Sequence, residues 1–551
     1  MSKEWFREAV IYQIYPRSFK DSNGDGIGDL KGVLEKLDYL HELGITAIWF
    51  SPIYSSPNAD NGYDISDYQS IMKEFGTMED FDKIVEECRK RNIKVIMDLV
   101  VNHSSDEHKW FIESKKSRDN DKSDYYIWAD KKNGKEPNNW ESFFTGSAWQ
   151  WCEERQQYYL HLFHRKQPDL NWKCDKLKEE IFSMIEWWIK RGTDGFRIDA
   201  ISYLKKPEGF PDSTKPVTHK DGYVMDAEIT ANLPGTHKFI NEMNIRLFSK
   251  YGIPTVGEIG CITPQTARDY VLQSRKEFDM IIPFILPQIE IDTWNVPMFK
   301  KRIEEWYEAL KDDGWWAQFL SNHDKPRQVS LYGNDKEYRV ESAKMLASII
   351  HTVPGTPFVY QGEEIGMTNA YFDDIEDYND VDTKSMYYKL TKDINNKEEI
   401  KKIFDSVRIS SRDNARTPMQ WNDDEFAGFS KHKPWINVNP NYKEINVKKA
   451  LEDKDSIFYY YKELINIRKN NKIIVYGDYK EIKFDNEYIY AYERNYEDKQ
   501  LIVINNFSKD NAKINLNYNI KNIILSNYKE NKINGSEIEL RAYESIIFFS
   551  K

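Results

Sequence analysis

The chain has 551 residues and a formal net charge of −12 at neutral pH. This length exceeds what one compact core usually holds, so we expect one large domain with one or two smaller attachments. The excess of acidic residues argues against nucleic acid as a partner, because binding to a phosphate backbone requires a basic surface. No apolar run reaches the ~18 residues that a membrane span needs, and the N-terminus lacks the apolar core of a signal peptide.

Four cysteines, at positions 88, 152, 174 and 261, form neither a CxxC pair nor a regular spacing. That pattern favours free thiols in a reducing compartment over a zinc site or a disulfide framework. We therefore expect a cytoplasmic protein with no membrane partner, and a monomer or weak homo-oligomer.

The first predicted strand, residues 10–15, is followed by a loop rich in oxygen-bearing side chains and by a helix over 29–44. The loop places an oxygen ligand at every second position, with glycines between that permit tight turning. Such a loop can wrap a hard cation as an EF-hand loop does, although an Asp/Asn/Gly turn that binds nothing has a similar composition. We predict a structural Ca²⁺ held by Asp21, Asn23, Asp25, Ile27 and Asp29.

Strands and helices then alternate along most of the chain. Segments with helical periodicity lie between apolar runs that begin near residues 47, 94, 195, 254, 278, 319 and 357. Eight strands alternating with helices predict an α/β fold, a (β/α)₈ TIM barrel, over residues 1–103 and 173–472.

Two irregular stretches interrupt this alternation. The first, residues 104–172, is rich in aromatic residues and is predicted to be a lid subdomain inserted after strand 3, because long irregular insertions in compact domains are usually functional. The second runs from 367 to about 444. After the last barrel helix, short Ile/Tyr/Phe alternations broken by Asn, Asp and Gly turns predict a C-terminal antiparallel β-sandwich over 473–551.

Four of the predicted strands carry an acid at or near their ends, in residues 94–103, 195–201, 254–258 and 319–324. The carboxyl ends of barrel strands carry the chemistry, so these acids could converge on one pocket. Arg197 and Asp199 share one face of their strand, because residues i and i+2 of a strand do so. We expect Arg197 to keep Asp199 ionised, as a nucleophile requires, although an ordinary Arg/Asp pair is the alternative for that strand alone.

These segments, in this order, resemble the α-amylase family of glycoside hydrolases (family 13), and the resemblance spans nearly the whole chain. It implies a retaining mechanism in which two carboxyl groups about 5 Å apart flank the glycosidic bond. Asp199 would be the nucleophile and Glu258, which has no adjacent cation in the sequence, the acid/base. Asp324 would be a third carboxylate that binds sugar hydroxyls.

The lid, residues 167–172 and residues 411–421 resemble the exo-acting α-glucosidase branch of that family. Taken singly, the residues concerned could also be core aromatics, structural histidines or a loop salt bridge. By the resemblance, the glucose-binding pocket would be formed by Asp60, Tyr63, His103, Phe144, Phe163, Gln167, Arg197, His323 and Arg412.

The resemblance implies a retaining exo-α-glucosidase that releases glucose from the non-reducing end of a small oligosaccharide or disaccharide. Ala200 follows the predicted nucleophile, and in relatives a valine there accompanies α-1,6 cleavage, so we expect α-1,4 linkages to be favoured, with sucrose among the candidate substrates. Residues 260–262 and 284–289 differ from the family pattern on the aglycone side. A sucrose or trehalose isomerase and a non-catalytic amylase-like binding subunit remain alternatives.

Overall fold

Eight short parallel strands form the centre of the molecule, in a computed structural model that describes residues 4–217, 220–283 and 294–550. Their residues are almost all buried, as expected for parallel strands covered on both faces. The strands are β1 (Ile11–Ile14), β2 (Ala47–Phe50), β3 (Lys94–Val100), β4 (Gly195–Asp199), β5 (Thr255–Ile259), β6 (Met280–Pro283), β7 (Ala317–Gln318) and β8 (Thr356–Tyr360).

The strands follow one another around a barrel. β1 to β6 pair in chain order, β8 pairs with the other side of β1, and β7 pairs with β8. A parallel bridge between Ile281 and Trp316 joins β6 to the start of β7 and closes the ring. The predicted (β/α)₈ barrel is therefore confirmed.

Helices cover the outside of the barrel. A capping box formed by Thr77 and Asp80 begins the helix Met78–Lys90. The single helix predicted over 29–44 is instead two helices that meet at Lys36. The helices of the barrel are Leu30–Glu35 with Leu37–Leu43, Met78–Lys90, Asp175–Arg191, Pro234–Met243, Pro264–Val271, Val296–Leu310, Arg339–Thr352 and Ile457–Asn470.

β7 is shorter and earlier than predicted. The apolar run 319–324 was expected to be this strand, but pairing ends at Gln318 and the run forms the loop that follows. Asn322 explains part of the difference, because its Oδ1 accepts from the backbone N–H of Asp324 at 2.8 Å and turns the chain.

The inserted segment 104–172 contains a helix and a small antiparallel sheet. The helix is Lys109–Ser114, and the sheet pairs Trp128–Ala129 and Trp149–Cys152 with Gln157–Leu160. Aromatic residues of this segment, such as Trp149, pack in one apolar cluster with Tyr203, which follows β4. The insertion therefore covers the end of the barrel where β4 finishes. The exact boundaries 103/104, 172/173 and 472/473 stay predictions.

The segment after β8 alternates irregular stretches with helices. It contains the helices Val381–Thr391, Lys397–Ser410 and Asp413–Arg416, and Val447–Glu452 follows before the last barrel helix. Among the described residues, none of the helices combines the length and the apolar character that crossing a membrane requires.

The C-terminal part is a β-sandwich, as predicted. Apolar side chains of both sheets, among them Ile504, Ile514, Ile538 and Phe548, fill the space between them. One sheet contains Asp478–Ile482, Ile489–Tyr496, Lys499–Asn506, Ser545–Phe549 and Asn522–Ser526, and the other contains Ala512–Asn515, Glu537–Leu540 and Lys532–Asn534.

Candidate active site

A cavity of about 490 Å³ opens at the carboxyl ends of the barrel strands. Its volume suits a small sugar, and both apolar and charged side chains line it. The described residues that line it include Asp60, Tyr63, His103, Phe143, Phe144, Phe163, Asp199, Ala200, Tyr203, Glu258, Gly260, Asp324, Lys325, Leu331, Tyr332, Asp382, Ser410 and Arg412.

Arg197 lies directly beneath this cavity and is paired with three carboxyl groups. Its guanidinium is 2.8 Å from Asp98, 2.7 Å from Asp199 and 2.7 Å from Glu258. The predicted contact with Asp199 is confirmed. The register of the parallel strands supplies the other two contacts, because Arg197 is level with Asp98 on β3 and with Val256 on β5. Glu258 thus has a cation beside it, which its own sequence neighbourhood did not indicate.

One guanidinium does not balance three carboxylates. Burial raises the pKa of Asp199 well above its ordinary value, and the nearby Glu258 and Asp98 add to the rise, although Arg197 opposes it. Arg197 thus opposes this rise, and that it keeps Asp199 ionised stays a prediction.

Asp324 is in the opposite electrostatic situation. Arg416 lies 2.8 Å from its carboxylate, Arg412 3.2 Å and His323 Nε2 3.0 Å. Burial alone would raise the pKa of Asp324, but these neighbours hold it well below its usual value. Asp324 is thus an ionised acceptor, able to receive hydrogen bonds from ligand hydroxyls.

Arg412 connects Asp324 to two further acids. Its guanidinium is 2.5 Å from Asp380 and 3.5 Å from Asp60, and it lies 5.3 Å from the ring centroid of Phe144 in the lid. Asp60 follows β2, whereas Arg412 follows β8. The predicted approach of Arg412 to the pocket is therefore observed, and the arginine joins loops from both sides of β1.

Gln167, at the end of the lid, orients two residues of the cavity wall. Its Nε2 is 3.1 Å from Asp60 Oδ2 and 3.1 Å from His103 Nε2. Burial lowers the pKa of His103, so its imidazole is neutral near pH 7. Gln167 itself has no exposed surface, so it acts on the cavity through these two neighbours.

His323 also lies behind the wall, although it was predicted to contact a sugar. It is completely buried, and each ring nitrogen has a protein partner. Nε2 is 2.6 Å from the hydroxyl of Tyr63, and Nδ1 is 2.7 Å from Gln13 Nε2. The Tyr63 ring stacks on the imidazole at 5.3 Å. His323 thus positions Tyr63 and Asp324, and Tyr63 presents the surface that faces the cavity.

Several residues of the site were not predicted. Phe143, Tyr203, Lys325 and Asp382 line the cavity, and Asp380 supports Arg412. Proximity in sequence to Phe144, Asp199 and Asp324 could have indicated the first three. Asp380 and Asp382 carry only a weak signal, a helix N-cap at Asp380 whose side chain accepts from the backbone N–H of Thr383.

Residues 260–262, which were predicted to differ from the family pattern, lie at the cavity, because Gly260 lines it. The next residue, Cys261, has a left-handed backbone with φ +51°. The second predicted difference, at residues 284–289, lies outside the described residues.

The loop predicted to bind calcium is closed by its own side chains. Buried Asp21 accepts from the backbone N–H groups of Gly24 at 2.6 Å and Gly26 at 2.8 Å, and both glycines have positive φ. Buried Asp29 caps the helix Leu30–Glu35. Within the described ranges, no group of three or more His, Cys, Asp or Glu side chains is arranged to hold a metal. Calcium at Asp21, Asn23, Asp25, Ile27 and Asp29 stays a prediction.

A closed (β/α)₈ barrel that brings two carboxyl groups together at the ends of β4 and β5, with an ionised third one after β7, defines a glycoside hydrolase. Residues 13–477 match the protein family described as alpha amylase, catalytic domain, and residues 489–547 match the alpha-amylase SusG C-terminal domain. The chain belongs to the α-amylase family.

Similar proteins cover the full length of the chain. An oligo-1,6-glucosidase of Bacillus cereus is 50% identical over 100% of both chains. The crystal structure of a trehalose-6-phosphate hydrolase of Bacillus licheniformis superimposes with a TM-score of 0.92 at 45% identity, over 99% of both chains. The isomaltulose synthase of Protaminobacter rubrum gives a TM-score of 0.93 at 40% identity, again over 99% of both chains.

A buried ion pair attaches the lid to the barrel beside this cavity. Lys206, which is 4% exposed, lies 2.6 Å from Asp169, which is not exposed at all. The same ammonium donates to Asn102 Oδ1 at 3.1 Å and to the carbonyl oxygen of Tyr203. The contact therefore joins the end of the lid, the exit of β3 and the cavity wall after β4.

We predict that Lys206→Met lowers the free energy of unfolding by about 3–5 kcal/mol, because it leaves the Asp169 carboxylate buried without its cation. Lys206→Met combined with Asp169→Asn should recover part of this loss. Urea denaturation measures the change, and limited proteolysis within 104–172 shows whether the lid loosens first. The exposed pair Lys173 with Glu208 supplies the control, since Lys173→Met should cost less than about 1 kcal/mol. Equal losses in the single and double variants would contradict this account.

Proposed function

We propose that this chain is a retaining exo-α-glucosidase that releases glucose from the non-reducing end of short, uncharged α-glucosides. The observation that carries the proposal is the arrangement of Asp199, Glu258 and Asp324 around one cavity of sugar size. The similarity over the full chain to a protein named oligo-1,6-glucosidase supports the same activity.

The proposed chemistry assigns one role to each of the paired carboxyl groups. Asp199 attacks the anomeric carbon while Glu258 protonates the leaving oxygen, and Glu258 then removes a proton from the water that releases glucose. Arg197 lies 2.7 Å from each of the two carboxyl groups and holds them side by side for this division. The backbone N–H of Ala200 donates to Glu258 Oε2 at 3.1 Å and holds that carboxyl beside the nucleophile.

Exo action follows from where the cavity is closed. The contact between Asp60 and Arg412 joins the loops after β2 and β8, which flank β1. The opposite side is lined by Gly260 after β5. A glucosyl unit bound against Asp60 and Arg412 therefore has no room for a further sugar beyond it, and the rest of the substrate extends toward β5.

The charge of the cavity favours neutral substrates. Five acidic and two basic side chains line its described part. A phosphate group on the leaving sugar would meet this excess of carboxyl groups, and like charges repel more strongly where water is excluded. We therefore expect trehalose 6-phosphate to be a poorer substrate than unphosphorylated disaccharides.

The first test uses purified protein with maltose, isomaltose, sucrose, trehalose and trehalose 6-phosphate, followed by NMR. We expect α-glucose as the first-formed anomer, and a loss of kcat of about a thousandfold or more in Asp199→Asn, because the nucleophile is removed. Thermal unfolding of the variant controls for folding.

Other products would point to other functions. New disaccharides without net release of glucose would indicate an isomerase, a candidate favoured by the similarity to isomaltulose synthase. Binding of sugars without turnover would indicate a non-catalytic subunit.

Linkage preference is proposed from Ala200, the residue after the nucleophile. It has the left-handed backbone values φ +46° and ψ +32°, and its side chain lines the cavity. We propose that this small side chain favours α-1,4 over α-1,6 linkages, because it leaves room for a leaving sugar attached directly to the ring. The α-1,6 linkage named in the similar glucosidases points the other way, so the position deserves a direct experiment.

Ala200→Val should raise the ratio of kcat/KM for isomaltose to that for maltose by about tenfold, the scale of one or two methyl groups in a pocket. An α-1,6 linkage has an extra methylene that carries the leaving sugar past the added bulk. Ala200→Gly is the matched control, since it accepts the backbone conformation and adds no bulk. An unchanged ratio in Ala200→Val would refute this role.

We also propose that loop 21–29 binds Ca²⁺ through the side chains of Asp21, Asn23, Asp25 and Asp29 and the carbonyl of Ile27. These are hard oxygen donors at alternate positions. Asp21 and Asp29 are each 3% exposed, and neither forms an ion pair within the described part of the chain, which suits a bound cation. Their hydrogen bonds to backbone N–H groups explain equally well a loop that folds without metal.

Thermal unfolding in CaCl₂ and in EDTA distinguishes the two cases. We expect Ca²⁺ to stabilise the protein by about 2–3 kcal/mol at a hundredfold excess over Kd, and Asp25→Ala to abolish the increment. Asp25 is exposed, and the substitution also removes the hydrogen bonds that its side chain accepts from Asn23 and Ile27 inside the loop. Exposed Asp119→Ala is the control, and identical curves in CaCl₂ and EDTA would argue against the metal.

The cellular setting stays a proposal too. All four cysteines are free thiols, which supports a reducing compartment such as the cytoplasm. We propose a monomer or weak homo-oligomer, which light scattering at several concentrations can establish.

A further inference from the structure

A second cavity, of about 360 Å³, lies between the lid and the barrel, and we call it the lid–barrel cavity. It is lined by Trp128 and Arg155 of the lid, by Lys173 directly after the lid, by residues 204–210 after β4 and by Phe239 of a barrel helix. Its volume is in the range of small-molecule sites. Within the described part of the chain, it shares no lining residue with the catalytic cavity.

The lid–barrel cavity is basic, whereas the catalytic cavity is acidic. Four basic and two acidic side chains line its described part. One of the basic groups, Lys206, is neutralised by the buried Asp169 at 2.6 Å. Three cations therefore remain against two acids, and this excess favours an anionic ligand.

Arg155 lines this cavity with part of its guanidinium unused. The side chain is 7% exposed. Its Nε donates to Gln157 Oε1 at 2.8 Å, and its Nη1 donates to the carbonyl oxygens of Ser114 and Ser117, each at 2.6 Å. Among the described residues, Nη2 has no hydrogen-bond partner and the guanidinium has no ion-pair partner. A buried guanidinium with free N–H groups suits an oxygen-rich, anionic ligand.

Two lysines of the cavity wall meet at one exposed glutamate. Lys173 Nζ lies 2.7 Å from one carboxylate oxygen of Glu208, and Lys205 Nζ lies 2.5 Å from the other. The Glu208 side chain is 73% exposed, so few contacts other than the two ammonium groups hold it. A phosphate monoester has three acceptor oxygens and nearly two negative charges at neutral pH. It can therefore displace this carboxylate and bind both lysines.

The other side chains of the cavity suit a sugar ring. Trp128, Phe210 and Phe239 are half-buried and offer apolar surface. Gln157 and Asn171 add amide groups, which can donate hydrogen bonds to hydroxyls and accept them. A sugar has C–H groups on its faces and hydroxyls at its edge, so it matches both kinds of surface.

We propose that the lid–barrel cavity is a binding site for a small phosphorylated sugar. Lys173 and Lys205 hold the phosphate in the place of Glu208, and Arg155 donates to further oxygens of the ligand. The ligand then contacts the lid and the loop after β4 together, and it holds the lid against the barrel. This inference does not rest on the proposed function, because binding requires no turnover.

The test is isothermal titration calorimetry of the purified protein with glucose 6-phosphate, inorganic phosphate and glucose. We expect glucose 6-phosphate to bind with a Kd at or below about 1 mM, and more tightly than either of its parts. Lys173→Met and Lys205→Met should each weaken its binding by about tenfold or more, the scale of a charged hydrogen bond. Lys190→Met, which removes an exposed lysine paired with Glu186, is the control.

Glu208→Gln separates a ligand site from a merely structural ion pair. Its loss should tighten the binding of glucose 6-phosphate by about threefold or more, because it frees both lysines and removes a repelling charge. Limited proteolysis within 104–172 should slow when glucose 6-phosphate is added to the wild type, and not in Lys173→Met. Thermal unfolding checks the fold of each variant.

Several results would overturn the inference. The absence of binding, equal affinity in the wild type and the two lysine variants, or weaker binding in Glu208→Gln would each do so. Inorganic phosphate or glucose that binds as tightly as glucose 6-phosphate would exclude a phosphorylated sugar as the ligand. Competitive inhibition of glucose release that persists in both lysine variants would locate the ligand in the catalytic cavity instead.

Discussion

The pairing of one buried arginine with three carboxyl groups is the constraint on which the site depends. Arg197 reaches Asp98, Asp199 and Glu258 from three adjacent strands, so the register of the barrel fixes the distances between the acids. The guanidinium also lies 5.1 Å from the ring centroid of Trp49, which fills the barrel below it. Lysine could not replace it, because a single ammonium cannot contact separate acids with a planar set of donors.

The number of cations around each acid shifts its pKa. Arg197 is shared by three carboxyl groups, and burial still raises the pKa of Asp199 well above its ordinary value. Asp324 has Arg412, Arg416 and His323 beside it, and they hold its pKa well below its usual value despite burial. Two carboxyl groups whose pKa values are shifted in opposite directions thus lie within one cavity. Side chains of the same chemical type acquire different roles because the fold distributes the arginines unevenly.

Local patterns in the sequence were enough to predict the barrel, whereas most of the site residues were predicted from the resemblance to the α-amylase family. Strand and helix periods are local, and the contact between Arg197 and Asp199 needs only the alternation of one strand. The contact between Arg197 and Glu258 could not be predicted in this way, since it depends on the register between β4 and β5. The position of β7 was predicted wrongly, because a strand of two residues is too short to show a periodic pattern in the sequence.

A sequence motif also does not show how deeply each of its residues is buried in the site. The triplet Asn322-His323-Asp324 indicated which residue types meet, but not that His323 would lie behind Tyr63 with both nitrogens occupied. Lys325 and Asp382 come from loops on different strands, and only the folded barrel brings them to the same wall.

Ala200 is part of the cavity wall and also contacts Glu258. Its left-handed backbone is unusual for a residue other than glycine, and such strain is retained where the surrounding structure requires it. The conformation directs the N–H of Ala200 toward Glu258 and its methyl group into the cavity. A larger side chain that moves the backbone therefore also moves the hydrogen bond to Glu258. A substitution at Ala200 cannot change only the space next to the leaving sugar, because the backbone of the same residue holds Glu258 in place.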